Sequence, residues 1–315
     1  MNDKPGGGGL HCSRAPHPAR RADLPPQTGR GFFGRTCLLL LATGCAGPLA
    51  ALRVETPLQL GAQRLTLRSD EKGAPDAQKI SSAIAKAGPG LARWGGLREP
   101  VTVYVVSTHD ELETAVRRHG YGWLRAWGRY DEVIFQAPSS WTTKDEVIDQ
   151  LVLHELTHCL LFQRSSTHET WLEKKIPLWF REGMAVATAG QAPMYPSLED
   201  SALWLQRNPG LDAFRDGDSL SEDHSSEVYG LALHAFDFLQ RRYGDEHLEA
   251  LMDTMHAGAD FATAFEGVIG IPVERFQRDF ENFLRLRAFR GAGRTVPRPG
   301  ARQLRRLTAP PAVAP

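Results

Sequence analysis

Residues 148–162 read IDQLVLHELTHCLLF, a largely apolar segment that contains no Pro or Gly and fits an α-helix. Its centre holds the pattern HExxH, from His154 to His158. On a helix these two residues lie one turn apart on the same face, so their imidazoles can converge on one Zn²⁺ ion. Glu155 can then act as a general base toward a water molecule on the metal. The segment therefore predicts a zinc site on a helix.

The flanking residues also favour a helix. Thr143 and Glu146 match a capping box at its start. The alternative is a buried helix with two core histidines that are satisfied by hydrogen bonds. Burying two imidazoles and a carboxylate costs several kcal/mol unless something compensates, and a metal ion is the simplest compensation. The residues that recur at helical spacing on one stripe of this helix are Val147, Leu151, His154, His158 and Leu161.

A catalytic zinc site with two histidines needs a third protein ligand and one open position. The pattern HExxHxxGxxH is not completed at positions 161 and 164, and the inverted pattern HxxEH is absent from the sequence. A carboxylate from a later helix remains, and the best candidate is Glu182 in PLWFREGMA (residues 177–185). Pro177 suits the first turn of that helix and Gly190 suits its end. The alternative is that Glu182 is an exposed carboxylate paired with Arg181.

HELTH (residues 154–158) followed by WFREGMA (residues 179–185) resembles the gluzincin branch of zinc metallopeptidases, specifically the small bacterial peptidase MA-like domains. The resemblance implies that Glu182 is the third zinc ligand. It also implies an α+β, zincin-like fold with an N-terminal mixed α/β lobe, a C-terminal helical lobe and the active site in the cleft between them. No GAMEN-like or NExxSD segment is present. Exopeptidase action and a close relationship to thermolysin are therefore both disfavoured.

Tyr229 lies near the start of a later helical segment, residues 227–244, which is similar to a stretch of the same family. Gluzincins commonly place a Tyr or His donor opposite the general base, where it can stabilise an oxyanion. The resemblance makes Tyr229 the first candidate for this donor, with His224 or His234 in reserve. The alternative is that Tyr229 packs at a helix start with its hydroxyl group at the surface.

Together these residues predict hydrolysis of a peptide or protein substrate. Zinc held by the two histidines and Glu182 would activate water, and Glu155 would carry its proton to the leaving amine. The strand predicted at residues 131–136 could be a sheet edge along which an extended peptide pairs. The alternative is a non-catalytic envelope binding module with a structural or absent metal. Glu155 favours the enzyme, because a structural site has no use for a general base.

The first 50 residues predict export. An Arg-, Gly- and Pro-rich segment precedes an apolar run at residues 37–43. Residues 41–45, LATGC, resemble a bacterial lipobox in which Cys45 would be lipidated and attach the protein to a membrane of the cell envelope, although Ala42 stands where a Leu is expected. One alternative is cleavage after Ala46, which would release a periplasmic or secreted protein. The other is a disordered cytosolic tail.

The composition is that of an ordinary globular protein, with 42% hydrophobic and 23% charged residues and a formal net charge of zero. Such a chain is not a nucleic-acid binder by charge. Cys159 lies about 100° around the metal helix from His158 and is predicted to be a small core residue. We expect a mixed α/β lobe at residues 51–140, the metal helix and helical lobe of the same catalytic domain at 141–290, and a flexible Pro- and Arg-rich tail at 291–315.

Periodicity predicts the remaining elements. The expected strands are residues 64–68, 101–107 and 131–136, and the expected helices are residues 76–87, 110–119, 198–206, 227–243, 245–255, 261–266 and 272–289.

Overall fold

The computed structural model describes residues 47–292, with side chains as far as Arg287. Within that range the chain forms one five-stranded sheet followed by a helical part, and every strand precedes residue 140. The predicted α+β class, with a small sheet and a helical C-terminal part, is confirmed. The strands are β1 (Val54–Leu60), β2 (Gln63–Ser69), β3 (Val101–Val106), β4 (Ala126–Gly128) and β5 (Glu132–Gln136). The helices are α1 (Ala74–Ala92), α2 (His109–Val116), α3 (Asp145–Ser165), α4 (Leu178–Thr188), α5 (Leu198–Arg207), α6 (Gly217–Tyr243), α7 (Asp245–His256), α8 (Phe261–Ile269) and α9 (Val273–Ala292).

The strand order is β1-β2-β3-β5-β4, with parallel pairing of β2 with β3 and of β3 with β5. β3 reads VTVYVV, and its β-branched side chains suit a central strand covered on both faces. β1 and β2 form a hairpin whose turn contains Gly61 at φ +59°. β5 was predicted to be a sheet edge, and that prediction is wrong, because β4 pairs antiparallel with its outer side. The edge beside α3 is therefore the three-residue strand β4.

Each face of the sheet packs against an apolar cluster. On one face, Val103, Val133 and Phe135 belong to the main core together with α1 and α3. On the other face, Ile134 packs with Leu112 of α2 in a smaller cluster. This arrangement fixes α3 against the sheet, because one side of the helix is buried in the main core.

The helical part is built around the fully buried Trp179 of α4. Its ring stacks on Phe276 at 5.2 Å and meets further phenylalanine rings edge to face, as aromatic pairs prefer. These edge-to-face neighbours are Phe180, Phe214, Phe261 and Phe265. The apolar residues of the WFREGMA segment therefore form the centre of this core, and they set the position of α4.

Several predicted boundaries differ from the structure. The capping box predicted from Thr143 and Glu146 does not form, because α3 begins at Asp145 and its N-cap residue, Lys144, makes no side-chain cap bond. A capping box occurs instead on α2, between Thr108 and Glu111. α6 starts ten residues earlier than predicted, and non-helical backbone at His224 divides it into two parts. β1 and β4 were not predicted from the sequence.

No helix within residues 47–292 combines the length and the apolar character that a membrane-spanning segment requires. Cys45 and most of the predicted export segment lie outside the described residues, as does the tail beyond residue 292.

Candidate metal centre

Two histidines on consecutive turns of α3 face each other. His154 and His158 are buried, and their Nε2 atoms lie 3.2 Å apart. The rings meet edge to face, with centroids 4.9 Å apart. Their spacing follows from helix geometry, since residues four apart share a face. The other side of α3 packs in the main core, so the ring nitrogens point toward the helical part.

Glu182 reaches these nitrogens from α4. Its Oε2 lies 3.4 Å from the Nε2 atom of each histidine, and its side chain is buried. The next residue, Gly183, brings α4 close to α6, because a Cβ there would lie 2.6 Å from Phe236 Cβ and against the Ala232 carbonyl oxygen. Glu182 is thus carried to the histidines by a helix contact that needs glycine. The structure brings together the three residues that were predicted as ligands.

The spacing of these three atoms suits one zinc ion. Tetrahedral zinc with bonds of about 2.0–2.1 Å separates its ligand atoms by about 3.3–3.4 Å. The observed separations are 3.2 Å between the nitrogens and 3.4 Å from each nitrogen to the carboxylate. Two imidazoles and a carboxylate are a common donor set for catalytic zinc. The donors therefore fit zinc in both type and spacing, and among the described residues they form the group of His, Cys, Asp and Glu side chains that could hold a metal ion.

The two histidines differ in the hydrogen bonding of their Nδ1 atoms. Nδ1 of His154 lies 2.8 Å from Oε1 of the buried Gln191. An amide oxygen can only accept, so this contact places a proton on Nδ1, and in the neutral ring Nε2 is then the atom that can bind a metal. Nδ1 of His158 is buried without a hydrogen-bond partner among the described residues. Only the first imidazole is fixed in a metal-binding tautomer by a neighbouring side chain.

The carboxylates of the site differ in their electrostatic surroundings. Burial alone would raise the pKa of Glu182, but His158, His154 and Arg181 bring that pKa well below its usual value. Nε of Arg181 lies 3.4 Å from Glu182 Oε1, so the ion pair with Arg181 that the alternative predicted is present. The same alternative predicted an exposed carboxylate, and that part is wrong, because Glu182 is buried. Burial raises the pKa of Glu155 despite the opposing influence of both histidines. Glu182 is thus held ionised.

Glu155 lies beside the edge strand β4. A Cβ added at Gly128 would lie 2.7 Å from the Glu155 carbonyl oxygen and 3.1 Å from its Oε2. The backbone of Gly128 also donates toward the carboxylate and lowers its pKa. Glu155 and the three clustered residues line one cavity of about 490 Å³. Cys159 is buried beside β5, as predicted, with its thiol directed at the Glu132 carbonyl.

Comparison with known proteins identifies the superfamily of this chain. A sequence model described as the Peptidase MA superfamily matches residues 90–286, which is more than half of the chain. The chain belongs to the Peptidase MA superfamily. It is also similar to the uncharacterized protein YhcO of Bacillus subtilis (strain 168), with 24% identity over 132 residues, which are 42% of this chain and 40% of that protein.

A solved structure gives a more distant similarity. It is an aminopeptidase N family protein from Idiomarina loihiensis, with 15% identity and a TM-score of 0.38, and the match covers 72% of this chain and 46% of that one. The chain therefore spans less than half the length of both matched proteins. The Peptidase MA match includes the metal cluster, Glu155 and β4, since all lie between residues 90 and 286.

In this Peptidase MA chain, Tyr229 lines the same cavity as the metal cluster. Burial raises the pKa of its hydroxyl well above the usual value, and Glu182 adds to the shift. Tyr195, which was not predicted, stacks on Tyr229 with ring centroids 6.0 Å apart and lines the cavity as well. Tyr195 follows a short 3₁₀ segment, Ala192–Met194, and no periodic pattern marks it.

The reserve candidates His224 and His234 do not line this cavity. His224 lies at the break in α6 and packs edge to face on Trp204. Nε2 of His234 donates to the Pro196 carbonyl at 2.9 Å. Both rings therefore have their neighbours outside the cavity, whereas Tyr195 and Tyr229 line it.

Proposed function

We propose that this protein is an exported, gluzincin-type zinc peptidase that cleaves bonds within polypeptide chains. The observation that carries the proposal is the cluster of His154, His158 and Glu182, with separations of 3.2–3.4 Å, and Glu155 in the same cavity. Membership of the Peptidase MA superfamily agrees with it.

The proposed chemistry assigns a separate role to each group. Zinc held by the two histidines and Glu182 would supply a Lewis acid that activates water and polarises the scissile carbonyl. Glu155 accepts the proton of the attacking water and returns it to the leaving amine. Its raised pKa suits a group that must both take and release a proton. Tyr229 donates a hydrogen bond to the carbonyl oxygen as negative charge develops there.

Cleavage within a chain is supported by the way the cavity follows α3. Val147 and Phe162 both line it, on opposite sides of the metal cluster along the helix. At about 1.5 Å per residue these positions are about 22 Å apart, enough for about six residues of extended peptide. β4 also lines the cavity as the edge of the sheet, so its backbone can pair with an extended substrate. Substrate can thus extend to both sides of Glu155.

The proposed location of the protein in the cell rests on residues 1–50. The apolar run at residues 37–43 and the lipobox-like LATGC favour action in the bacterial cell envelope, with Cys45 as the lipid attachment point. Labelling of cells with a clickable fatty acid, for wild type and for Cys45→Ser, tests the attachment. Loss of the label in the variant supports it, and an unlabelled wild-type protein contradicts it.

The function itself is tested by zinc analysis together with cleavage of a peptide library. We expect one zinc per chain in the wild type and in Glu155→Gln, with cleavage at least 100-fold slower in the variant, because general acid–base catalysis contributes about 10²–10⁴-fold. Glu173→Gln, an exposed carboxylate, is the matched control and should cleave like the wild type. Cleavage that persists in Glu155→Gln would refute the assignment of Glu155 as the general base. Zinc bound without any Glu155-dependent cleavage would refute the peptidase and favour a binding module.

A further inference from the structure

We infer that the cleft takes an extended polypeptide segment with large apolar side chains and acidic rather than basic flanks. This inference rests on the proposed function and names the substrate class of that site. Two independent features of the cavity support it: the exposed apolar side chains of its lining, and lining cations that have no carboxylate partner among the described side chains.

Exposed large hydrophobic side chains concentrate at this cavity. Four such residues occur within the described part of the chain, and three of them line the cavity. Leu172 is 72% exposed, Met194 is 55% exposed and Trp123 is 39% exposed. The fourth, Leu286 on α9, is not part of the lining. Exposed apolar side chains around one opening mark a surface that binds apolar groups.

The wall below this rim is also apolar. Phe162 lies beyond the metal-binding face of α3, and its ring packs on Trp171 at 4.9 Å and on His158 at 6.3 Å. Leu172 follows Trp171 directly, so an aromatic wall leads from the metal cluster to an exposed leucine. A large apolar side chain of a bound peptide would lose contact with water along this wall, which favours binding. A small or polar side chain would gain little there.

The charges of the cavity lining favour acidic over basic peptides. The cavity lining has four cationic side chains, Arg118, Arg125, Lys175 and Arg181, against three carboxylates. Arg181 is paired with Glu182 and Asp218. Among the side chains of residues 47–287, neither Arg118 nor Lys175 forms an ion pair with a carboxylate within 4 Å, and both are exposed. Arg118 lies over the Trp127 ring of β4 at 4.6 Å. These cations can pair with peptide carboxylates and would repel Lys or Arg.

Binding to Glu155→Gln tests the inference without any turnover. Three fluorescent peptides of eight residues are compared: an apolar core with Glu flanks, the same core with Lys flanks, and a Ser/Gly core with Glu flanks. We expect the first to bind at least about 10-fold more tightly than either of the others, and its advantage over the Lys-flanked peptide to shrink in high salt. Equal affinity for the Ser/Gly core, or tighter binding of the Lys-flanked peptide, overturns the inference.

Rim variants locate the binding surface. Leu172→Ser and Met194→Ser, each made in the Glu155→Gln background, should weaken the first peptide about 3- to 10-fold. Leu286→Ser removes an equally exposed leucine outside the cavity and should leave the affinity unchanged. Arg118→Glu should remove the preference for Glu flanks, whereas Lys72→Glu, an exposed lysine outside the lining, should not. Equal effects of rim and control variants would refute the assignment.

The two proposals fail in different ways. If the protein hydrolyses polar peptides in a Glu155-dependent manner as fast as apolar ones, the peptidase stands and this substrate class is wrong. If apolar peptides bind selectively but the wild type cleaves none of them, the binding surface stands and the proposed hydrolysis is wrong.

Discussion

His154 and His158 occupy equivalent positions on α3 but have different partners. Gln191 accepts a hydrogen bond from Nδ1 of His154 at 2.8 Å, whereas Nδ1 of His158 is buried without a partner among the described residues. Side chains that bond the outer nitrogen of a metal-binding imidazole fix its tautomer and orientation. Gln191 therefore orients the His154 imidazole, although no local pattern in the sequence marks Gln191.

We predict that Gln191→Leu weakens zinc binding about 10- to 100-fold, because His154 loses the acceptor that fixes its Nε2 as a ligand. Competition with a chromophoric chelator measures the zinc affinity. Gln191→Glu should retain or strengthen binding, since a carboxylate also accepts from Nδ1. Gln206→Leu, at an exposed position on α5, is the control and should bind zinc normally. An unchanged affinity in Gln191→Leu would show that helix packing alone orients His154.

Gly128 lies where β4 meets the metal helix. A Cβ there would approach the Glu155 carbonyl oxygen at 2.7 Å and its carboxylate at 3.1 Å. Such contacts are too short to keep, so β4 and α3 would have to separate. We predict that Gly128→Ala reduces cleavage more than 10-fold with zinc still bound, because the two shortest contacts fall on Glu155, whereas the nearest atom of His158, its Cβ, lies at 3.3 Å. Gly122→Ala, where a Cβ meets open space, is the control for kinetics and zinc content.

The contact between α4 and α6 brings Glu182 to the site. Gly183 allows it, because α4 approaches the Ala232 carbonyl and Phe236 without an intervening side chain. In the centre of a helix, Ala normally gives a more stable protein than Gly does. At this position the steric conflict reverses that rule.

We predict that Gly183→Ala lowers the free energy of unfolding by about 1–3 kcal/mol, the usual cost of overpacking a core. Gly267→Ala in α8, where a Cβ meets no atom within 4 Å, should instead raise it by about 0.5–1 kcal/mol. Urea denaturation measures both. Similar changes in the two variants would contradict the close helix contact.

Sequence periodicity predicted the longer elements, and their cores agree with the structure. α3, β3 and α7 were placed within a few residues, since their apolar spacing reflects burial on one face. β4 escaped prediction because three residues carry no period. The error about the sheet edge followed directly, because an edge is defined by the absence of a neighbour, and the neighbour of β5 was the strand that had been missed.

Zinc at the cluster would join α3, packed on the sheet, to α4 in the helical core. The same ion would relieve the close approach of two imidazoles and a carboxylate that are buried together. A ligand that binds only the folded state stabilises it by RT ln(1 + [L]/Kd), about 2.7 kcal/mol at 100 times Kd.

We therefore predict that removal of zinc by a chelator lowers the Tm by about 5–10 °C, given about 2–4 °C per kcal/mol for a domain of this size. Differential scanning calorimetry with and without added zinc measures the shift. Glu182→Gln, which weakens the carboxylate ligand, should show a smaller shift. A Tm that is unaffected by the chelator in the wild type would indicate that the cluster holds no metal.

The sequence by itself determined the pair of histidines and the position of Glu155 beside them, because their spacing is a property of one helix and its backbone hydrogen bonds. The sequence also indicated Glu182, through the surrounding segment WFREGMA. Tertiary structure alone decided which other side chains complete the site. Gln191 lies 37 residues from His154, and Tyr195 and β4 enter from a loop and a short strand without periodicity. Their positions depend on how the sheet and the helical core pack together, and local spacing does not encode that packing.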